Sequence, residues 1–360
     1  MNGSAAPSDP QPAPPMLVPE TIEESAALLC ELPPESRVRI IGGGTRLGIG
    51  HPFTPDTTLS TSGLDRIVDW EPDDLTVVVE AGMTVEELEY TLGTKGQTAL
   101  LHESPGAGTV GGALATATSG WRRYRYGPIT DRVLEVTLVS SDGRVATAGG
   151  RLVKNVTGYD IPRLATGSLG ALGLIARVCL KLWPLPVASA TVAVESAEEA
   201  VSCAFRPLAV LETEKRTSVF LGGTPEEIEG QAEALGGSPV DGLDWPQPPP
   251  GETRFSVRVP PSHLRSMVGR LAECWRYVAQ FGVGEMAVGA DRVGHETLEG
   301  LRAEAESVGG ALVLIDAPDD LRQRFDPWGT PPASLAIQRR LVNLFDPGRM
   351  LNPGVLPGRI

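Results

Sequence analysis

The stretch VRIIGGGTRLGIG, residues 38–50, decides the fold that we expect for this chain of 360 residues. Its first four residues predict a strand, which runs into three consecutive glycines, Gly42, Gly43 and Gly44. Because glycine has no Cβ, the backbone N–H groups of such a loop can come close to an anion. A tight turn that binds no ligand explains this loop, taken by itself, about equally well.

The loop does not match the dinucleotide-binding fingerprint G-x-G-x-x-G. Counted from Gly42 and Gly44, the position of the third glycine holds Leu47. The chain then continues through HPFTP, residues 51–55, which cannot begin the helix that holds the pyrophosphate in a Rossmann fold. NAD binding is therefore disfavoured, and a diphosphate at this loop would be held by backbone amides.

Two further glycine-rich segments follow. Residues 101–120, LHESPGAGTVGGALATATSG, lack side-chain bulk over a length too great for one turn, which suits a backbone pressed against an extended flat ligand. A flexible linker is the alternative, but Val110, Leu114 and the alanines make the segment too apolar for one. Residues 168–175, SLGALGLI, place glycines ahead of an apolar strand. Three such loops at strand ends favour a cofactor site over coincidental turns.

Composition excludes several classes of protein. The formal charge of −14 argues against a nucleic-acid partner, because affinity for phosphates comes mainly from clustered Lys and Arg. We expect no integral membrane segment and no secretory signal. The four cysteines form no C-x-x-C pair, so we expect no iron–sulfur cluster in this chain. Their apolar surroundings predict buried, reduced thiols and a cytoplasmic protein.

The chain divides at changes of composition. Residues 1–16 are rich in Pro, Ala and Ser and predict a disordered tail. The first helix is expected after Thr21, which forms a capping-box pattern with Glu24. Prolines at 184 and 186 mark a boundary, after which short strands alternate with amphipathic helices, one of them capped by Ser262.

The three glycine-rich segments, in their order and spacing, resemble flavoproteins of the vanillyl-alcohol oxidase and p-cresol methylhydroxylase type. A narrower resemblance, to the E subunits of glycolate oxidases, is carried by KNVTGYD at residues 154–160, GWRR at residues 120–123 and FDPGRMLNPG at residues 345–354. The motifs are dense over residues 37–186 and again over 335–356. Between these spans only length and general character are similar.

The resemblance implies an α+β fold. We expect a two-subdomain FAD-binding domain of the p-cresol methylhydroxylase type at 17–187, a small α+β cap domain at 188–325, and a C-terminal segment at 326–360 whose helix returns to the FAD domain. It also implies FAD, held non-covalently because we expect His51 to be an exposed loop histidine. The residues expected to bind FAD are Gly42, Gly43, Gly44, Thr45, Pro105, Gly106, Thr109, Gly111, Gly112, Ser119, Gly120, Ser168, Gly173 and Ile175.

Oxidation of a 2-hydroxy acid at a flavin requires a base for the hydroxyl proton and a cation for the carboxylate. The related catalytic flavin subunits carry a histidine cluster suited to a metal, whereas no two of the four histidines here have ligand spacing, so we expect no metal. The catalytic residues stay unassigned, with Tyr159, Lys154, Arg122 and Arg123 as candidates. The alternatives are a structural hydrogen bond, a surface cation and, for residues 121–126, an interface.

The function implied is that of an FAD-binding subunit of a glycolate oxidase (glycolate dehydrogenase) complex, which oxidises glycolate or a related 2-hydroxy acid to the 2-oxo acid. The expected partners are a catalytic flavin subunit, an iron–sulfur subunit that carries electrons onward, and the small 2-hydroxy acid. Peripheral contact with the inner face of the membrane, through these partners, stays open. The alternatives are a self-sufficient FAD-dependent oxidase or dehydrogenase of a small hydroxy acid or alcohol, and a flavin-free structural subunit.

Overall fold

The structure, a computed structural model, describes residues 13–101, 106, 108–151, 158–271 and 275–360. Its helices are α1 Ile22–Glu31, α2 Val85–Gly93, α3 Val110–Ala115, α4 Arg123–Tyr126, α5 Ile161–Ala165, α6 Ala197–Cys203, α7 Pro225–Ala234, α8 Leu264–Leu271, α9 His295–Ser307, α10 Asp319–Arg324 and α11 Leu335–Phe345. Its strands are β1 Met16–Leu17, β2 Val38–Ile41, β3 Thr57–Ser60, β4 Ile67–Glu71, β5 Thr76–Glu80, β6 Gln97–Thr98, β7 Val133–Val139, β8 Val145–Gly149, β9 Leu174–Lys181, β10 Trp183–Pro184, β11 Ala188–Val194, β12 Ala209–Thr213, β13 Thr217–Gly223, β14 Pro239–Asp241, β15 Thr253–Arg258, β16 Arg276–Phe281, β17 Glu285–Ala290 and β18 Ala311–Asp316.

Two larger sheets form most of the N-terminal half, beside a two-stranded antiparallel sheet of β6 and β10. A three-stranded parallel sheet has the order β1-β3-β2, and a five-stranded antiparallel sheet has the order β4-β5-β9-β7-β8. The central strand β9 reads LIARVCLK and is buried at six of its eight positions, which explains why it is continuously apolar. Helices α2 and α3 pack on the core of this sheet. The two sheets are the two subdomains expected from the sequence.

The helix starts in this half follow their capping residues. Thr21 accepts a hydrogen bond from the Glu24 N–H (3.0 Å), and Thr84 accepts one from the Glu87 N–H (3.2 Å). Regular structure nevertheless begins before Thr21, because β1 already pairs with β3. The cap expected at Ser262 is wrong. That residue lies inside a short 3₁₀ turn, Pro261–His263, which leads directly into α8.

The second half is dominated by one antiparallel sheet of eight strands, in the order β14-β11-β13-β12-β16-β17-β15-β18. Helices α6, α7, α8, α9 and α10 contribute to the apolar core on this sheet, for example through Leu264, Leu298 and Leu321. A smaller cluster contains Phe220 of the sheet and Trp121, which comes from the N-terminal half. The whole molecule is therefore α+β, as expected. Strand β18 ends the sheet at the edge that faces the first glycine loop.

The C-terminal segment returns to the N-terminal half, as expected. In α11, Val342 packs beside Leu172, and Phe345 also contacts the core of the five-stranded sheet. Beyond this helix, Asn352 donates its N–H to the Val38 carbonyl (2.8 Å), while its side-chain oxygen accepts the Ile40 N–H (3.0 Å). Its side-chain amide donates to the Leu169 carbonyl (2.6 Å). Asn352 thus joins β2 to the third glycine segment.

The expectation of buried cysteines is confirmed at one position and wrong at two. Cys179 is buried in β9, where burial raises the pKa of its thiol to about 11. Cys30 and Cys203 are exposed, because each lies at or near the end of an amphipathic helix rather than on its apolar face. Cys274 is outside the described residues. Within the described ranges, no helix combines the length and apolar character that crossing a bilayer requires.

Candidate cofactor site

A cavity of about 970 Å³ lies between the first glycine loop and the β18 edge of the eight-stranded sheet. One wall consists of β2, the loop at residues 42–54 and helix α3. The other wall is formed by Arg254 of β15, by Asp316 at the end of β18, and by α10. Leu169, Gly170 and the C-terminal residues 352, 355 and 359 complete the lining. Segments that are far apart in the chain therefore share one cavity.

The glycines of the first two loops allow the backbones to touch. A Cβ on Gly42 would lie 2.1 Å from the Thr109 Oγ1, and one on Gly43 would lie 3.0 Å from the Gly108 Cα. The third segment is equally close-packed, since a Cβ on Gly170 would lie 2.7 Å from the Asn352 Nδ2. Any side chain at these positions would push the segments apart. The three glycine-rich segments converge, as the sequence predicted.

The backbone amides of the first two loops differ in how they are used. The N–H of Gly111 donates to the Ala81 carbonyl (2.7 Å), and the N–H of Gly112 donates to the Thr109 Oγ1 (3.2 Å). By contrast, no acceptor within the described part of the chain takes the N–H groups of residues 42–45. A ligand oxygen would satisfy these donors. The first loop is therefore better suited to an anion than the start of α3 is.

Positive charge concentrates at this cavity although the protein carries a net charge of −14. Among the described residues that line it are five arginines and two aspartates: Arg39, Arg46, Arg254, Arg322, Arg359, Asp316 and Asp319. Arginine is the side chain best suited to phosphates and carboxylates, because its planar guanidinium binds two oxygens at once. The cavity is therefore suited to an anionic ligand.

The arginines that line the cavity influence one another electrostatically in two pairs. Burial and the nearby charge of Arg322 lower the pKa of Arg39, and burial and the charge of Arg254 lower the pKa of Arg46. Asp316 offsets the second pair through an ion pair with Arg254 (2.8 Å). In both pairs one arginine belongs to the N-terminal half and the other to the region of the eight-stranded sheet.

The expectation of an exposed His51 is wrong. The His51 side chain is 4% exposed and lines the cavity, because the loop that carries it folds under the C-terminal segment. Its Nε2 is buried without a hydrogen-bond partner and lies 3.6 Å from the Asp326 carboxylate. Burial lowers the pKa of this imidazole, and Arg359 lowers it further, whereas Asp326 opposes the shift.

The residues expected to bind a cofactor fall into three groups. Eight line the cavity: Gly42, Gly43, Gly44, Thr45, Thr109, Gly111, Gly112 and Ile175. Five do not: Gly106, Ser119, Gly120, Ser168 and Gly173. Some of these have local structural contacts, such as the hydrogen bond from the Ile129 N–H to the Ser119 Oγ (3.0 Å). Pro105 lies outside the described residues.

The catalytic candidates are not brought together at the cavity. Tyr159 is 91% exposed and does not line it. Arg123 instead forms an ion pair with Glu285 of the eight-stranded sheet (2.7 Å), and Arg122 is half-buried in the same region. Lys154, with most of the KNVTGYD motif, lies outside the described residues. Residues 121–126 form an interface, but it is one within this chain.

Sequence reasoning missed Arg39, Arg322 and the positioning role of Asn352. Arg39 lies in the strand before the first glycine loop, where an arginine among the apolar residues of VRII was the available signal. Arg322 lies in a short helix among other charged residues, and nothing in that pattern distinguishes it. Asn352 belongs to the terminal motif that carried the resemblance, so its position was marked although its role was not.

Residues 14–149 match the family described as FAD binding domain. Over these residues the chain is similar to FAD-binding domains. Over 219 residues the chain is 32% identical to the glycolate oxidase subunit GlcE of Escherichia coli (strain K12), covering 58% of this chain and 62% of that subunit. It is 30% identical over 224 residues to a D-lactate dehydrogenase of Archaeoglobus fulgidus, covering 59% of this chain and 49% of that protein. The chain thus spans less than two thirds of the length of either relative.

The fold of the FAD-binding protein extends beyond the matched domain. An alkyldihydroxyacetonephosphate synthase structure superimposes with a TM-score of 0.65 at 15% identity, covering 94% of this chain and 75% of that one. At this identity the likeness shows a shared fold alone. It includes the eight-stranded sheet, which lies outside the matched FAD-binding domain.

The cavity fits FAD. The amides of residues 42–45 suit the diphosphate, and the excess of arginine over aspartate suits its negative charge. The volume of about 970 Å³ lies near the upper end of the range of about 300–1,000 Å³ that is usual for small-molecule and cofactor sites. FAD, when bound, supplies the acceptor for a hydride or a pair of electrons. The residues of the protein supply binding, orientation and charge.

Proposed function

We propose that this chain is the FAD-binding subunit of a complex that oxidises glycolate or a related 2-hydroxy acid to the 2-oxo acid. The observation that carries the proposal is the cavity, in which donor amides on one wall meet arginines on the other. An anionic cofactor and an anionic substrate are both expected at such a place. The names of the similar proteins, a glycolate oxidase subunit and a D-lactate dehydrogenase, support a 2-hydroxy acid as the substrate.

We also propose which residues hold the cofactor and how the chain is divided. The first glycine loop, Gly42 to Thr45, would hold the FAD diphosphate, and Thr109, Gly111, Gly112 and Ile175 would border the bound cofactor. The binding would be non-covalent, through the loop amides and the arginines, although His51 lines the cavity. The FAD-binding domain would occupy residues 17–187, the cap domain 188–325 and the returning segment 326–360. The remaining candidates, from Gly106 to Gly173, would act by shaping these loops.

The subunit would work beside a catalytic flavin subunit and an iron–sulfur subunit. The word "subunit" in the name of the Escherichia coli relative supports an assembly of several chains. The cysteines support a separate carrier of single electrons, because no two are spaced for a cluster. We propose that the complex acts in the cytoplasm. Its contact with the membrane, if any, would pass through the partners.

Anaerobic spectroscopy tests this function. The purified chain, saturated with FAD, is mixed with glycolate or D-lactate, first alone and then together with its flavin and iron–sulfur partners. We expect a bound-flavin spectrum that persists when the chain is alone and is bleached in the assembled complex. Failure of both hydroxy acids to reduce the assembled complex would contradict the proposed function.

A second candidate is a self-sufficient FAD-dependent oxidase or dehydrogenase of a small hydroxy acid. It is favoured by one observation, namely that this chain alone provides both walls of the cavity, including the arginines of the second wall. The same experiment separates the two candidates. Bleaching of the flavin in the isolated chain by a hydroxy acid would establish the self-sufficient enzyme and remove the need for a catalytic partner.

A further inference from the structure

The two arginine pairs of the cavity differ in how their charge is balanced. In the pair Arg46 and Arg254, the carboxylate of Asp316 lies 2.8 Å from the Arg254 guanidinium. In the pair Arg39 and Arg322, no salt bridge within the described residues joins either guanidinium to a carboxylate. Asp319 lines the same cavity but forms no ion pair with either of them. Among the described residues, the protein thus supplies a carboxylate partner for one pair and none for the other.

Arg39 is held in position by its own side of the cavity. Its Nη2 donates to the Phe53 carbonyl (2.7 Å), and its guanidinium stacks over the Phe53 ring at 4.7 Å from the centroid. These contacts fix the plane of the guanidinium and leave other N–H donors unassigned. The residue is half-buried, and its pKa is lowered by burial and then by Arg322. Such an arginine is oriented but not neutralised.

Arg322 approaches from α10 on the opposite wall. Its Nε is buried and has no hydrogen-bond partner among the described residues. A buried guanidinium N–H without a partner is costly, and a second guanidinium nearby adds repulsion. Both costs disappear when an oxyanion lies between the two arginines, because each can then donate to an oxygen. The two guanidinium groups are therefore suited to bind one oxyanion together.

We infer that Arg39 and Arg322 form a second oxyanion subsite, separate from the amides of the first glycine loop. Its ligand is a carboxylate or phosphate group, bound by one arginine from each half of the molecule. Two sources carry such a group here, the carboxylate of the small hydroxy acid and a phosphate of FAD. Only the naming of the hydroxy acid rests on the proposed function. The subsite itself rests on the contacts and burial of the two arginines.

The test uses the full-length protein with oxalate as the probe for a small carboxylate and FAD as the probe for the phosphate. Isothermal titration calorimetry measures both dissociation constants for the wild type and for the variants Arg322→Gln and Arg39→Gln. The matched control is Arg324→Gln, which removes an arginine from the same helix, where it pairs with exposed Asp320 instead of lining the cavity. Melting temperatures identify variants that are unfolded.

We expect each subsite variant to weaken one probe by about tenfold or more, as for the loss of a charged hydrogen bond, with the control unchanged. Weaker oxalate binding with unchanged FAD binding identifies the carboxylate as the ligand. Weaker FAD binding identifies the phosphate. If Arg39→Gln does not fold, Arg322→Gln decides alone. Binding of both probes by Arg322→Gln as tightly as by the control, or binding of neither by the wild type, would overturn the inference.

The outcome is independent of turnover. Oxalate and FAD binding are measured without any oxidation, so an inactive protein that binds oxalate through Arg322 contradicts the proposed function but supports the subsite. Conversely, an active enzyme whose Arg322→Gln variant binds both probes normally supports the proposed function and contradicts the proposed subsite.

Discussion

Arginines gather at two places in this protein, and their surroundings are opposite. In the segment GWRRYRY, residues 120–126, they are neighbours in sequence, and Arg123 is neutralised by Glu285 of the eight-stranded sheet at 2.7 Å. At the cavity, Arg39 and Arg322 come from opposite ends of the chain and have no carboxylate partner in the described residues. The first group holds two parts of the chain together. The second is suited to bind an anion.

The comparison teaches that clustering in sequence is a poor guide to an anion site. A charged run is easily recognised, but it can be balanced by carboxylates that only the fold brings near. Trp121 and Tyr124 of the same segment pack against the protein itself, since Trp121 is buried in a cluster with Phe220 and a Cβ on Gly282 would lie 2.1 Å from the Tyr124 ring. What distinguishes the cavity is unpaired charge together with unpaired backbone amides.

Forcing the first two glycine loops apart should have the largest effect on FAD binding. Gly42→Val places a branched side chain where even a Cβ would lie 2.1 Å from the Thr109 Oγ1. We expect FAD affinity, measured by quenching of flavin fluorescence, to fall about 10- to 100-fold, because overpacking of this size costs about 1–3 kcal/mol.

Gly93→Val is the matched control, since nothing lies within 4 Å of a Cβ at that exposed position. Equal affinity in the two variants would show that the contact between the loops does not shape the cofactor site.

Removing the link between β2 and the third glycine segment should come next. Asn352→Ala loses the hydrogen bonds to the Ile40 N–H and the Leu169 carbonyl and leaves alanine at a φ of 43°. We expect a loss of about 2–4 kcal/mol in the free energy of unfolding in urea, with weaker FAD binding.

Asn343→Ala, which removes an exposed side chain that accepts from Arg349, is the control and should cost within about 0.5 kcal/mol. A cost at Asn352 no larger than this would argue against the linking role.

The arginines of residues 120–126 should affect stability and leave FAD affinity unchanged, in contrast to those of the cavity. Arg123→Ala breaks a partly buried ion pair, and we expect the free energy of unfolding to fall by about 1–2 kcal/mol while FAD affinity stays unchanged. The control is Arg324→Ala, whose pair with Asp320 is about 71% exposed on both sides. A marked loss of FAD affinity in Arg123→Ala with intact stability would reverse the roles that we assign to the two groups.

The smallest expected effect concerns pH. Burial lowers the pKa of His51, so the unfolded chain takes up a proton at this residue at a higher pH than the folded protein. Below the pKa of about 6.5 that histidine has in the unfolded chain, protonation of His51 favours unfolding, so the free energy of unfolding falls as the pH falls. Above that pH, His51 has no such effect. Between pH 7.5 and 5.5, His51→Gln should lose less stability in urea than the wild type does. An identical pH dependence in both proteins would mean that His51 is not desolvated.

Much of the fold could be predicted because its signals are local. The strand and glycines at residues 38–44, the caps at Thr21 and Thr84 and the apolar strand β9 are all properties of short segments. Strand β11 was missed, since its sequence ASATVAV is rich in residues of low strand propensity and is stabilised by pairing with β13 and β14.

The candidate site was only half predictable for a related reason. Its glycine wall depends on backbone geometry, which the glycines in the sequence predict. Its arginine wall depends on which charges remain unpaired after folding, and this is settled by contacts such as that between Arg254 and Asp316. The burial of His51 likewise follows from the return of the C-terminal segment, whose Val355 carbonyl accepts the His51 N–H (3.4 Å).

The central claim is that the cavity between the glycine loop and the arginines holds FAD. The most direct test is a titration of the flavin-free protein with FAD, followed by flavin fluorescence and by the absorbance of the filtered protein. We predict saturable binding at one FAD per chain and a yellow protein that keeps its flavin on filtration. A colourless protein that leaves all of the added FAD in the filtrate would contradict the account.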